Sequence, residues 1–153
     1  MRERRHSAFS LVELMIVVAV CALAAGIAAP RFANATARHH AQVTIRRVAA
    51  DIALAQAQAR ATSKPQAISF SVGSSSYELP GLTGLRGESS AYAVNLREEP
   101  YRSQIVSVNF NGGSVLTFDR YGNPSSAGTI SVRAGDTTTS LSVDATTGRT
   151  AIQ

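Results

Sequence analysis

Between residues 9 and 29 every position is apolar or small except Ser10 and Glu13, and residues 14–29 form an uncharged run of sixteen. A helix of about 20 apolar residues spans a bilayer, so this segment predicts a membrane helix. The pattern then changes. Residues 31–64 hold no Gly or Pro, are rich in Ala, and place Ala41, Ile45, Val48, Ile52, Ala55 and Ala59 at spacings of three and four. Those spacings draw one narrow stripe on a helix, so the segment reads as an amphipathic helix of strong propensity. Arg47 and Asp51 form an i,i+4 pair that reads as lying off the stripe. Lys64-Pro65 supplies the stop. A helix over about residues 10–63 would be roughly 80 Å long at 1.5 Å per residue, with Gly26 and Pro30 loosening or kinking it.

From residue 66 the period becomes two. Strands are predicted at 66–72, 76–79, 92–96, 104–110, 114–119, 129–133, 138–143 and 149–152, with Asn111-Gly112-Gly113 as a hairpin signal between the fourth and fifth. Residues 80–90 are Gly-rich and read as a loop. The fold class is therefore α+β: one long N-terminal helix, apolar then amphipathic, packed on a C-terminal antiparallel β-rich head.

Composition narrows the function classes. The 153 residues carry a single cysteine, Cys21, inside the apolar run, so no intramolecular disulfide can form and packing alone must hold the head. His39 and His40 are adjacent, hence about 100° apart on a helix and unable to share a metal in the i,i+4 manner. Glu98-Glu99 precedes Pro100, and Asp119, Asp136 and Asp144 are scattered at turns, where Asp serves local backbone bonding. No Gly-rich phosphate loop precedes a helix. The expectation is a protein that is not an enzyme and that takes no cofactor or metal.

Formal net charge is +5, of which residues 31–64 account for the same amount through Arg31, Arg38, Arg46, Arg47, Arg60 and Lys64 against Asp51. A basic cluster attracts phosphate non-specifically. Arg31 and Arg38 also lie close enough to the apolar run to meet anionic headgroups, and the rest can solvate a polar helix face.

Glu13 is the residue that the apolar run does not explain, since a charge within a span costs about 2.5–3.5 kcal/mol on insertion scales. A removable signal peptide cut near residues 24–29 and a plain anchor are the ordinary readings, and neither uses a carboxylate there. Under both, Arg2, Arg4 and Arg5 keep the N-terminus cytoplasmic.

Ala8-Phe9-Ser10-Leu11-Val12-Glu13, behind a short basic leader and ahead of the apolar run and Pro30, resembles the signal of type IV pilins and type II secretion pseudopilins, normally Gly-Phe-(Ser/Thr)-Leu-x-Glu. Ala8 stands where Gly is usual. The resemblance implies cleavage between Ala8 and Phe9 by the prepilin peptidase, N-methylation of Phe9, and retention of the apolar segment. It also implies that Glu13 of one subunit meets the Phe9 amine of a neighbour during assembly, a pairing that relieves the cost of the buried charge. The organisation implied is a leader (1–8), a transmembrane or filament-core helix (9–30), an amphipathic helix (31–64) and a β-rich head (65–153).

Phe118-Asp119-Arg120-Tyr121-Gly122-Asn123-Pro124, followed by Thr147-Gly148-Arg149, is similar to the GspH/FimT group of minor pseudopilins and minor pilins. That resemblance implies a β-sandwich-like pair of sheets on the long helix. It implies a GspH-like minor pseudopilin of a type II secretion system, single-pass in the inner membrane with a periplasmic head, joining other pseudopilins through its N-terminal helix into a pseudopilus that drives protein secretion. The alternative is a FimT-like minor pilin of a type IV pilus, in assembly or DNA uptake. The DNA-binding members carry Gly-Arg-x-Arg near the C-terminus. Here the stretch is Gly148-Arg149-Thr150-Ala151, so only Arg149 remains as a nucleic-acid contact and nucleic acid is the lesser partner.

Overall fold

The computed structural model describes residues 10–83 and 91–153. Its one long helix, α1 (Leu11–Thr62), has a backbone that stays helical through Gly26 and Pro30. It ends where Thr62 Oγ1 donates to the Gln58 carbonyl (2.8 Å) and Ser63 turns left-handed at φ 54°, just before Pro65. The chain divides into two units, Met1–Ala35 and Thr36–Gln153. In the first, the apolar side chains of α1 from Leu11 to Ile27 are exposed.

The second unit holds the rest of α1 and eight strands: β1 (Gln66–Ser71), β2 (Ser76–Thr83), β3 (Ala91–Asn95), β4 (Gln104–Asn109), β5 (Val115–Phe118), β6 (Gly128–Ala134), β7 (Thr137–Val143) and β8 (Thr150–Ile152). They form two four-stranded antiparallel sheets, ordered β3-β2-β1-β5 and β4-β6-β7-β8. Ala41, Ile45, Val48, Ile52, Ala55 and Ala59 are all buried, so the stripe read from spacing is the face of α1 that packs. From Ile45 onward these residues share one core with Ile68, Tyr77, Leu79, Leu116, Phe118, Ile130, Val132 and Leu141 of the two sheets and with Leu96 just past β3. Each fully buried Ile, Leu or Val contributes about 1.5–3 kcal/mol. The fold is α+β, as the periodicities predict.

Three local readings are corrected. Asn111-Gly112 does make a tight turn, with both residues at positive φ (53° and 85°) and Phe110 and Gly113 exchanging backbone bonds of 2.9 and 3.0 Å. It does not close a hairpin: β4 joins the second sheet and β5 the first, and only the Phe110–Gly113 bridge links them. The cause is burial. Leu116 and Phe118 enter the core by pairing β5 with β1, while Phe110 is buried 5.9 Å from the Phe70 ring. The turn therefore hands the chain from one sheet to the other.

The loop read at residues 80–90 starts later, because β2 continues to Thr83 with a register shift between Leu79 and Thr83. Its remainder, residues 84–90, lies outside the described residues. Finally, Asp51 is not a surface residue beside the stripe; it is buried.

Candidate functional site

Glu13 lies in the first turn of α1, whose ladder opens with the Leu14 N–H donating to the Ser10 carbonyl at 3.1 Å. Ile16 and Val17 are its neighbours one turn on along the same face. The carboxylate stands among exposed apolar side chains: Leu11, Val12, Leu14, Met15, Ile16, Val17, Val18, Val20, Leu23 and Ile27 are each 47–72% exposed. A helix apolar all round is one that is covered, by protein or by lipid. By length and composition α1 can cross a membrane. Among the described residues the ion pairs are Arg47–Asp51 and Arg102–Glu99, and neither involves Glu13. Ala8 and Phe9, the expected cleavage and methylation positions, lie outside the described residues.

Asp51 organises the polar centre of the head. It accepts from the Tyr77 hydroxyl (2.6 Å), the Tyr92 hydroxyl (2.9 and 3.0 Å) and Arg47 Nε (3.1 Å), while the Arg47 guanidinium also donates to the Tyr92 hydroxyl. Burial, reinforced by the bond to Asp51, pushes the Tyr77 phenol well above the usual tyrosine range, and Tyr92 shifts the same way for the same reasons. Burial works against the Arg47 charge, but Asp51 and the tyrosines hold its pKa above the ordinary arginine value. The single pair seen in sequence is thus a four-residue knot tying α1 to β2 and β3. Only its i,i+4 arm was legible, because Tyr77 and Tyr92 lie 26 and 41 positions away.

The two C-terminal motif pieces come together on α1. Gln56 Nε2 donates to the carbonyls of Gly122 and Thr147, both at 2.8 Å, and Arg60 Nε donates to the Tyr121 carbonyl at 3.1 Å. Each piece is a turn closed by its own aspartate. Asp119 Oδ1 accepts from the backbone N–H groups of Tyr121 and Asn123, each at 2.8 Å. Asp144 Oδ1 accepts from the N–H groups of Thr146 (3.0 Å) and Thr147 (2.7 Å) and from the Thr147 hydroxyl (2.8 Å). These bonds, led by the backbone N–H of Asn123 and of Thr147 respectively, hold both carboxyls below the usual aspartate range.

Gly148 is required where it stands. Its φ is 68°, and a Cβ there would sit 2.7 Å from Gln56 Nε2 and 2.9 Å from Phe118 Cε1. Arg149 is exposed just past this turn, with no ion pair among the described residues. The motif residues thus act as a clasp. Gln56 is the member that sequence reasoning missed, and nothing in its own neighbourhood marks it.

The remaining candidates separate. His40 is half-buried, its Nδ1 within hydrogen-bond distance of the Pro100 carbonyl (2.9 Å), and His39 is exposed. Glu98 accepts from Asn95 Nδ2 (2.7 Å) and Glu99 pairs with Arg102 (2.6 Å). No group of three or more His, Cys, Asp or Glu converges among the described residues.

Comparison with known proteins gives two family matches. Residues 4–29 match the prokaryotic N-terminal methylation motif, and residues 44–148 match the type II transport protein GspH. Among curated proteins none matches. Among solved structures, the fold is similar to that of the type IV minor pilin FimU of Pseudomonas aeruginosa, with TM-score 0.56 and 15% identity over 76% of this chain and 90% of that one.

Proposed function

Because this chain belongs to the family of the type II transport protein GspH, we propose that it is a minor pseudopilin of a type II secretion system, with a structural rather than catalytic role. The peptidase of that system cuts between Ala8 and Phe9 on the cytoplasmic side and methylates Phe9. The apolar part of α1 then holds the subunit in the inner membrane, with the head in the periplasm. During assembly Glu13 pairs with the Phe9 amine of a neighbouring subunit, which favours registered packing over diffusion in lipid, because an unpaired charge there is costly. The observation that carries this reading is the exposed, uniformly apolar start of α1 interrupted by one carboxylate.

A second reading, a minor pilin acting in type IV pilus assembly or DNA uptake, draws on the FimU-like fold. Deleting the gene and complementing it separates the two. Loss of exoprotein release with surface pili and DNA uptake unchanged is the expected result. Loss of pili or uptake with secretion intact would overturn the first reading in favour of the second.

A further inference from the structure

Within the Thr36–Gln153 unit, a cavity of about 580 Å³ opens between Arg102, Gln104, Arg133, Gly135, Asp136 and Thr138. Gly135 fixes its place, since a Cβ there would lie 3.1 Å from the Cβ of Ala37, at the first residues of the Thr36–Gln153 unit. Arg133 of β6 stands opposite Gln104 of β4 and Thr138 of β7, so the three side chains share one face across three strands. Arg102 arrives from a different element. Its loop is tied to α1 through His40 and Pro100 (2.9 Å) and by Thr44 Oγ1 donating to Ser103 Oγ (2.9 Å). Two guanidiniums held by separate scaffolds therefore face one cavity, against one lining carboxylate, Asp136.

Arg102 also pairs with Glu99 at 2.6 Å, but both side chains are about two-thirds exposed, so that contact is screened and readily shared with an incoming anion. The planar fork of arginine suits a phosphate oxygen pair. Asp136 and Thr138 beside it suit a ligand that also carries hydroxyls. Ala37 is only eight residues along the chain from Ala29, the end of the apolar run. We propose that this cavity binds the headgroup of an anionic phospholipid, its phosphodiester between Arg102 and Arg133 and its hydroxyls on Asp136, as in phosphatidylglycerol. The inference rests on the reading of α1 as membrane-held. It recruits two arginines far in sequence from the Arg31 and Arg38 that composition alone brings near lipid.

The test is arginine footprinting by phenylglyoxal, read by mass spectrometry, on the full chain in nanodiscs. In discs containing phosphatidylglycerol, Arg102 and Arg133 are expected to react about five-fold more slowly than in phosphatidylcholine discs. Arg120 and Arg149, exposed at the two turns that Gln56 joins, serve as internal controls and should not change. Arg133→Gln should abolish the protection of Arg102. Equal slowing of all four arginines would mean diffuse attraction and overturn the site, as would no slowing at all. Equal protection in phosphatidylcholine discs on adding glycerol phosphate would overturn the lipid as the source in favour of a soluble phosphate ester. Failure of the chain to co-elute with the discs would instead overturn the membrane reading, and is scored separately.

Discussion

Asp51 accepts from two tyrosine hydroxyls and a guanidinium inside the head, so its removal strands several polar groups at once. Asp51→Ala is expected to cost about 3 kcal/mol, measured by denaturant unfolding of the detergent-solubilised full chain. A loss below about 0.5 kcal/mol, the level of an exposed i,i+4 pair, would show that the knot contributes no more than its surface arm. Tyr77 adds a pH dependence. Its folded pKa lies above its unfolded value near 10, so the stability of the neutral phenol is intact below about pH 10 and falls as pH rises beyond it. Tyr77→Phe should therefore be less stable at neutral pH yet lose less on going from pH 9 to 11 than the parent. Gly148→Ala forces a left-handed backbone and displaces Gln56, and should cost at least about 1–2 kcal/mol, read as a lowered Tm.

Among the elements, Gln56 is the side chain of α1 that reaches both turns, and Arg60 adds a second bond to the first of them. Gln56→Ala removes two hydrogen bonds and should cost about 1–2 kcal/mol. Its signature is faster amide exchange in residues 119–124 and 144–149 together, with the β6–β7 ladder unchanged. Loosening of one turn alone would break the idea of a shared clasp. The Asp144 turn should also open in acid. Its carboxyl is held below the ordinary value, so the turn's bonds are in place above about pH 4 and are lost as pH falls through the folded pKa. Amide exchange at residues 146–148 reads this directly.

For the whole molecule, the exposed apolar helix and the clasped head carry different tasks, and the sharpest predictions concern the first. Intact mass of protein from a host with the peptidase should give an N-terminus at N-methyl-Phe9. A Met1 terminus, or a cut near Ala29, would remove the basis for assembly through Glu13. Glu13→Leu should still insert and be cleaved but enter the filament at most a few per cent as often as the parent, since an unpaired charge or its absence leaves no registered partner. Normal incorporation in cross-linked filaments would end that argument.

Short-range physics made much of this legible in the sequence. The apolar run with Glu13, the stripe from Ala41 to Ala59, the stop at Pro65 and the period-two strands each follow from spacing over a few residues, which is the range over which backbone periodicity acts. Family resemblance added the expectation of a processing site between Ala8 and Phe9. What only the tertiary structure decided lies at long range. The Asn111-Gly112 turn has the chemistry of a hairpin, yet β4 and β5 part because each buries its apolar face better in a different sheet. Asp51 reads as half of a surface pair, and becomes a buried centre because Tyr77 and Tyr92 reach it from the β3-β2-β1-β5 sheet packed on α1. Gln56, and the meeting of Arg102 with Arg133, carry no local signal, since their partners are set by how two sheets pack on one helix.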